Sequence, residues 1–174
     1  MNEDEKKEII RKYFRKNKRK TKLDIGSAEG AYDPEDDSWL KIDINKAEES
    51  MGGKVDLIVD AHNLSCFEDE SFDEIWSGAC LVCYTRDEAV KEAARILKED
   101  GKMTIRIQMP YLGRLIRCLY ENSMFVESIE ELNYDQAKGK GEVYKDELSE
   151  VIVAAKKGES SWKGMSEEPQ LYDE

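Results

Sequence analysis

Apolar residues recur along this chain with two different periods. From residue 22 onward come five short runs rich in Ile, Val and Leu: KLDIG (22–26), WLKIDIN (39–45), KVDLIVDA (54–61), FDEIWSG (72–78) and KMTIRIQ (102–108). Runs this short, bounded by Gly, Asp and Asn, predict strands. Between the fourth and fifth, Ala89, Val90, Ala93, Ala94 and Leu97 fall on one helical face and Lys91, Glu92, Arg95 and Lys98 on the other. That 3.6-residue period predicts a helix with a solvated polar face, and Gly101 is its expected C-terminal stop. Strand, amphipathic helix and strand in this order predict a right-handed βαβ unit with parallel strands. After Pro110, the spacing of Leu112, Leu115, Ile116 and Leu119 predicts a second helix, with Cys118 in its core face. Strands are expected near 125–132 and 149–155, and the polar stretch between them predicts an antiparallel hairpin at the sheet edge. Upstream, Ile9, Ile10, Tyr13 and Phe14 form a narrow stripe on a basic helix, which predicts docking on the body with its Lys and Arg in water.

This pattern divides the chain into a basic helical extension (1–21), one α/β domain (22–156) and a flexible tail without periodicity (157–174), where Trp162 is the one candidate anchor. At 174 residues there is room for a single sizeable core. No apolar run approaches the roughly 20 residues of a membrane span. The first residues, MNEDEKKEII, lack the apolar core of a secretory signal, so the expected compartment is the cytoplasm. Four irregularly spaced cysteines do not make a disulfide framework.

Charge adds an asymmetry. The net charge is −12, yet residues 1–22 hold ten basic and four acidic side chains, leaving 17 basic against 35 acidic in the remainder. A body that acidic repels polyanions, so nucleic acid is disfavoured as a partner except through the basic N-terminal segment, which could alternatively hold an anionic substrate.

In an open parallel sheet, ligands bind beyond the carboxyl ends of the strands. The first predicted strand ends in Asp24, Ile25, Gly26, Ser27, Ala28, Glu29 and Gly30. Glycines there permit positive φ and close approach, and the turn's N–H groups are expected to point into the crevice. The second ends in Asp43, suited to accept from two ribose hydroxyls. The third ends in Asp60, Ala61, His62 and Asn63, able to read an adenine amine by carboxylate and a ring nitrogen by backbone N–H. The fourth ends in Ser77 and Gly78. Any one of these acids could simply cap a turn. An ordered set behind a Gly-containing first turn points to a nucleoside-binding rim.

The segments LDIGSAEG, KIDIN, VDLIVDAHNL, ESFDEIWSG and EAARILKEDGKMTI together resemble the class I S-adenosylmethionine-dependent methyltransferases, over about residues 22–108. The likeness is to small type 11-like members in which a loop replaces the first helix. The resemblance implies a Rossmann-like, mostly parallel seven-stranded sheet with helices on both faces and an antiparallel last strand. It implies S-adenosylmethionine as cofactor and methyl transfer to an unidentified small-molecule or macromolecular acceptor. Carried onto this sequence, it puts Asp24, Gly26, Ser27 and Gly30 around the methionine arm, Asp43 on the ribose and Ile44 against the adenine. Asp60 and Ala61 then meet the adenine edge, and Ser77 and Gly78 line the methyl-facing wall. Two departures are Ala28 at the usual middle glycine and the short AYDPEDDS before Trp39, which leaves no room for a first helix.

His62, the only histidine, is the one candidate for a general base, set against a role as a ring contact near the adenine. Cys80-x-x-Cys83 with His62 and Cys66 could be imagined around zinc, but the cysteines fit better as small apolar residues, and no metal is expected. Tyr84, Arg86, Tyr111 and Arg114 are placed to flank the acceptor. Two other readings stay open. One is a catalytically degenerate methyltransferase fold serving as a binding or scaffold module. The other is a dinucleotide-binding redox protein, opposed by the missing three-glycine spacing in GSAEG.

Overall fold

The computed structural model describes residues 3–17, 20–28, 32, 35–46, 54–78, 80–81, 87–132 and 150–158. They build one seven-stranded sheet in the order β3-β2-β1-β4-β5-β7-β6. Strands β1 (Lys22–Ile25), β2 (Trp39–Asp43), β3 (Leu57–Ile58), β4 (Phe72–Gly78) and β5 (Leu97–Gln108) run parallel. Strand β7 (Glu150–Lys157) is antiparallel to both β5 and the edge strand β6 (Met124–Leu132). This is the Rossmann-like α/β sheet with an antiparallel last strand that the family resemblance implies. The order reverses at β1/β4, where such sheets open a ligand crevice.

Alternation sorts the side chains into two faces. Leu23 and Ile25, Leu40 and Ile42, Ile75, Met103, Ile105 and Ile107, and Val151 and Val153 are buried in a single cluster. Helix α2 (Asp87–Ile96) adds Ala89, Val90, Ala93 and Ala94, and α3 (Leu112–Glu121) adds Leu115, Cys118 and Leu119. Ile116, expected to be buried with them, is exposed. Helix α1 (Glu3–Lys16) docks on the same cluster through Ile10, Tyr13 and Phe14, while Ile9 of the expected stripe faces solvent. Phe14 lies 5.7 Å from the ring of Phe67 and 5.2 Å from that of Phe72, pairs that add about 0.5–1.5 kcal/mol each beyond area burial.

The register puts Lys22, Asp24, Trp39, Lys41, Glu74 and Trp76 on the opposite face. Lys22 bridges to Glu74 at 3.2 Å and sits 5.2 Å over the Trp39 ring. Tyr32 closes over this face, its ring 4.3 Å from Trp76 and 5.0 Å from Trp39.

Two elements depart from the sequence pattern. Helix α2 ends at Ile96, and Leu97 already pairs with Phe72, whereas Glu74 pairs with Lys102. The intervening residues form a bulge in which Asp100 takes φ +61°. Gly101 serves this bulge and not a helix stop: a Cβ there would lie 2.8 Å from the Leu97 side chain and the Lys98 carbonyl. Strand β3 is only two residues long, and Asp56, just before it, binds β2 through both its backbone and its side chain: its N–H donates to the Lys41 carbonyl at 2.8 Å. Its carboxylate accepts the Lys41 N–H at 3.0 Å and the Lys20 ammonium at 3.0 Å. No described helix is long and apolar enough to cross a membrane.

Candidate ligand-binding rim

The parallel register brings Asp24, Asp43 and Asp60 to the carboxyl-end side of three neighbouring strands, in the spatial order β3-β2-β1, with Ser77 and Gly78 ending β4 next to β1. Three strand spacings of about 4.8 Å separate β3 from β4, so the rim spans roughly 14 Å. Gly30, Tyr84, Arg86 and Cys83 lie outside the described residues.

The turn after β1 depends on Gly26. Its φ is +87°, and a Cβ would come within 2.4 Å of the Cys80 Cβ, so glycine serves both backbone conformation and contact with the turn after β4. Among the described residues of this turn, the amides expected to face the crevice are used elsewhere. The Gly26 and Ser27 N–H groups donate to the Ile42 carbonyl at 2.9 and 3.3 Å, and the Ala28 N–H donates to Asp43 Oδ2 at 3.1 Å. The turn is thus folded onto the end of β2, a tertiary pairing that local sequence does not reveal. The Ser27 hydroxyl is buried and donates to the same carbonyl at 3.3 Å.

Asp43 is half-buried, and its second oxygen accepts the Asn45 N–H at 2.8 Å. Two amides therefore fix the carboxylate, each on a different oxygen, and each oxygen keeps a further lone pair. Ile44 follows it with 63% of its surface exposed, an apolar side chain open to solvent at the strand end. Asp60 Oδ1 accepts the His62 N–H at 2.9 Å and pairs with His62 Nδ1 at 2.8 Å. The His62 amide is the main cause that holds the Asp60 carboxyl below the usual range, and the imidazole adds to it. Ala61 is buried beneath this turn. His62 is therefore part of the Asp60 turn, at the far end of the rim from Gly78.

Asp24 is 1% exposed. Its Oδ2 accepts the Tyr32 N–H at 2.9 Å. Burial pushes its pKa up to about 7, against the lowering effects of the Tyr32 amide and of Lys41. Lys41, its register partner on β2, is equally buried and donates to the Asp36 carbonyl at 3.1 Å. Burial lowers the Lys41 pKa. Ser77 is also buried, and its hydroxyl accepts the Leu81 N–H at 3.2 Å, which stabilises the turn after β4. Gly78 remains partly exposed, with Trp76 Nε1 3.6 Å from where its Cβ would be.

The sequence pattern placed Glu92 and Arg95 on a solvated helix face, and the structure gives them a different task. Arg95 donates to Glu92 Oε1 and Oε2 (both 2.9 Å), to the carbonyls of Leu64 (3.0 Å) and Phe67 (3.2 Å), and to Asp69 (2.6 Å). These five bonds match the five N–H donors of a guanidinium. Glu92 in turn accepts the Leu64 N–H at 3.0 Å. The β3–β4 connection has no helix of its own, and this hub pins it to α2 just beyond Asn63. The i,i+3 spacing of Glu92 and Arg95 was the one sequence signal. Arg95→Lys keeps the charge but loses the fork. It should cost about 1–2 kcal/mol and speed hydrogen exchange across residues 61–70 more than in α2. Uniform acceleration across the molecule would contradict the assignment.

Among the described residues no three His, Cys, Asp or Glu side chains gather as a metal site. Cys66 and Cys118 are buried free thiols, both pushed up to about 11 chiefly by burial, and Cys118 takes its place in the core as expected.

The family model described as "Methyltransferase domain" matches residues 23–105. No curated protein matches the chain. Solved structures share the fold at low identity. Geranyl diphosphate C-methyltransferase from Streptomyces coelicolor A3(2), crystallised with Mg2+, geranyl diphosphate and S-adenosyl-L-homocysteine, is 11% identical over 80% of this chain and 73% of that one, with a TM-score of 0.57. A putative S-adenosylmethionine-dependent methyltransferase from Listeria monocytogenes is 13% identical over 84% and 98%, at 0.56. One from Methanosarcina mazei is 17% identical over 78% and 91%, also at 0.56.

Proposed function

We propose that this chain, whose residues 23–105 match the methyltransferase-domain model, is a class I S-adenosylmethionine-dependent methyltransferase that binds the cofactor along the strand-end rim and passes its methyl group to an acceptor. The observation that supports this most directly is the pair of fixed carboxylates, Asp43 and Asp60, at the ends of adjacent parallel strands, with exposed Ile44 directly after Asp43. That donor set fits a nucleoside: acceptors for ribose hydroxyls, an acceptor for an exocyclic amine, and an apolar surface for a flat ring.

In this reading Asp43 accepts from the ribose hydroxyls through the lone pairs its two amides leave. Ile44 packs on the adenine face, while Asp60, held ionised by His62, and the Ala61 amide read its edge. Asp24, Gly26, Ser27 and Gly30 surround the methionine arm, where a carboxylate in a dry setting attracts an ammonium. The bound cofactor supplies an electrophilic sulfonium methyl. The protein's part is to align the acceptor and exclude water. Gly78 leaves space at the methyl-facing wall, and buried Ser77 keeps that wall in shape by holding Leu81. The acidic rim also favours the cationic cofactor over its neutral-sulfur product. His62 pairs with Asp60 through both its amide and its imidazole, which supports a role in orienting that carboxylate over one as a general base. The acceptor is a small molecule or macromolecule met in the cytoplasm, and the acidic body disfavours nucleic acid.

Calorimetry with S-adenosylmethionine, S-adenosylhomocysteine and NAD tests the reading. The expected result is saturable binding of both adenosyl compounds; binding of NAD alone would overturn it. Transfer from methyl-labelled cofactor to a component of a cell extract then distinguishes an enzyme from a methyltransferase-fold binding module.

A further inference from the structure

We propose that the cavity between α1 and the amino-terminal ends of the strands is a second binding site, for a small phosphate ester with an apolar body. The cavity measures about 390 Å³, within the range of small-molecule sites. It is bordered by Thr21 and Ser71, which precede β1 and β4, and by Lys98 near the start of β5. Asp43 and Asp60 stand at the opposite end of the strands, so the site is separate from the rim and does not depend on the methyltransferase reading.

Its walls are of two kinds. Phe14, Phe67 and Cys66 supply an apolar side, and the thiol stays neutral because burial raises its pKa. Arg11, Arg15, Lys20 and Lys98 supply four cations against one lining carboxylate, Glu68. Two of these cations are anchored: Lys20 lies 3.0 Å from Asp56 and Lys98 2.7 Å from Asp73. The arginines are weakly engaged. Arg11 reaches the Ser65 carbonyl at 3.5 Å, and Arg15 meets Glu8 only at 3.9 Å, with both side chains more than 60% exposed.

Arg11 and Arg15 are one helical turn apart on α1, where like charges repel. An anion between them relieves that repulsion, and each guanidinium can offer two parallel N–H groups to phosphate oxygens. Phe14 belongs to the same turn, so an apolar group attached to the phosphate packs on its ring. The combination of bidentate cations and an aromatic wall favours an ester over the bare ion. The modest volume and the surrounding Glu68, Asp56 and Asp73 favour a small molecule over a nucleic-acid strand.

Phenyl phosphate titrated into the full chain at low salt, followed by calorimetry, tests this. The expected result is saturable one-to-one binding, about tenfold or more tighter than inorganic phosphate and about tenfold or more weaker in Arg11→Gln/Arg15→Gln. Arg15 is exposed and Arg11 is partly buried with one long hydrogen bond to Ser65, so thermal unfolding of the double variant, expected to stay cooperative, separates lost binding from lost fold. Arg11→Lys/Arg15→Lys, which preserves charge, should still bind more weakly than wild type. The proposal is overturned by absent or non-saturable binding, by equal affinity in the glutamine variant, by inorganic phosphate binding as tightly as the ester, or by a single-stranded oligonucleotide binding more tightly than phenyl phosphate.

Discussion

Replacing Asp43 with alanine is expected to weaken S-adenosylhomocysteine binding by about 10²–10⁴-fold. Two hydrogen bonds from ribose hydroxyls to a carboxylate are lost, each worth about 1.5–3 kcal/mol, and every 1.4 kcal/mol is a factor of ten. The same carboxylate accepts the Ala28 and Asn45 amides, so the alanine variant should also lose about 1–2 kcal/mol of stability. Asp43→Asn separates the two effects. One amide oxygen remains to accept a backbone N–H, while the new NH2 group cannot accept from a hydroxyl. The asparagine variant should therefore recover only part of the thermal midpoint and little of the affinity. Wild-type affinity in Asp43→Asn would show that the ribose does not sit on this residue.

The elements that carry this site differ in how plainly the sequence displayed them. β4 runs over the same residues, 72–78, as the alternating FDEIWSG segment, since both its neighbours and its core face are satisfied by local pattern. β1 and the start of β2 were equally visible. β3 was not: the apolar KVDLIVDA run suggests a longer strand, whereas Asp56 within it uses its carboxylate on the Lys41 N–H and on Lys20 from before β1. The bulge at 98–101 was hidden for a related reason: LKEDG is a good helix ending by propensity, and only the pairing of Leu97 with Phe72 overrides it.

At the rim itself, the residue types were legible and their engagements were not. Glycine at 26, acids at 24, 43 and 60, and an apolar residue at 44 can be read one strand end at a time. That the first turn spends its amides on Ile42 and Asp43, that Arg95 holds the connection after Asp60, and that Tyr32 covers Asp24 all require contacts between distant segments. The polar face of α2 shows the limit well. Glu92 and Arg95 fit a solvated surface by periodicity, yet the β3–β4 connection supplies the partners that make them a structural hub.

Asp24→Asn is expected to stabilise the free protein at pH 8 and to weaken its grip on the methionine arm. A carboxyl whose folded pKa is about 7 and whose ordinary value is 3.8 binds more protons in the folded chain between those limits. Stability from this group is therefore fully present below about pH 4 and is lost as pH rises through 7. The three-unit difference corresponds to about 4 kcal/mol at pH 8. The attraction to buried Lys41 is already contained in that net shift, so the gain should approach this figure, or roughly 8–16 °C in thermal midpoint. At pH 4 wild type and variant should unfold together, because both side chains are then neutral, and the decline in wild-type stability between pH 4 and 7 should be flatter in the variant. Binding supplies the counterpart. S-adenosylmethionine, whose arm ends in an ammonium, should bind more weakly to Asp24→Asn, whereas 5′-methylthioadenosine, which lacks that arm, should bind as it does to wild type. An unaltered pH slope would mean that Asp24 is not the titrating group. Equal weakening of both ligands would place it away from the arm. The expected pattern makes Asp24 a group whose burial costs the free fold stability that a bound cation restores.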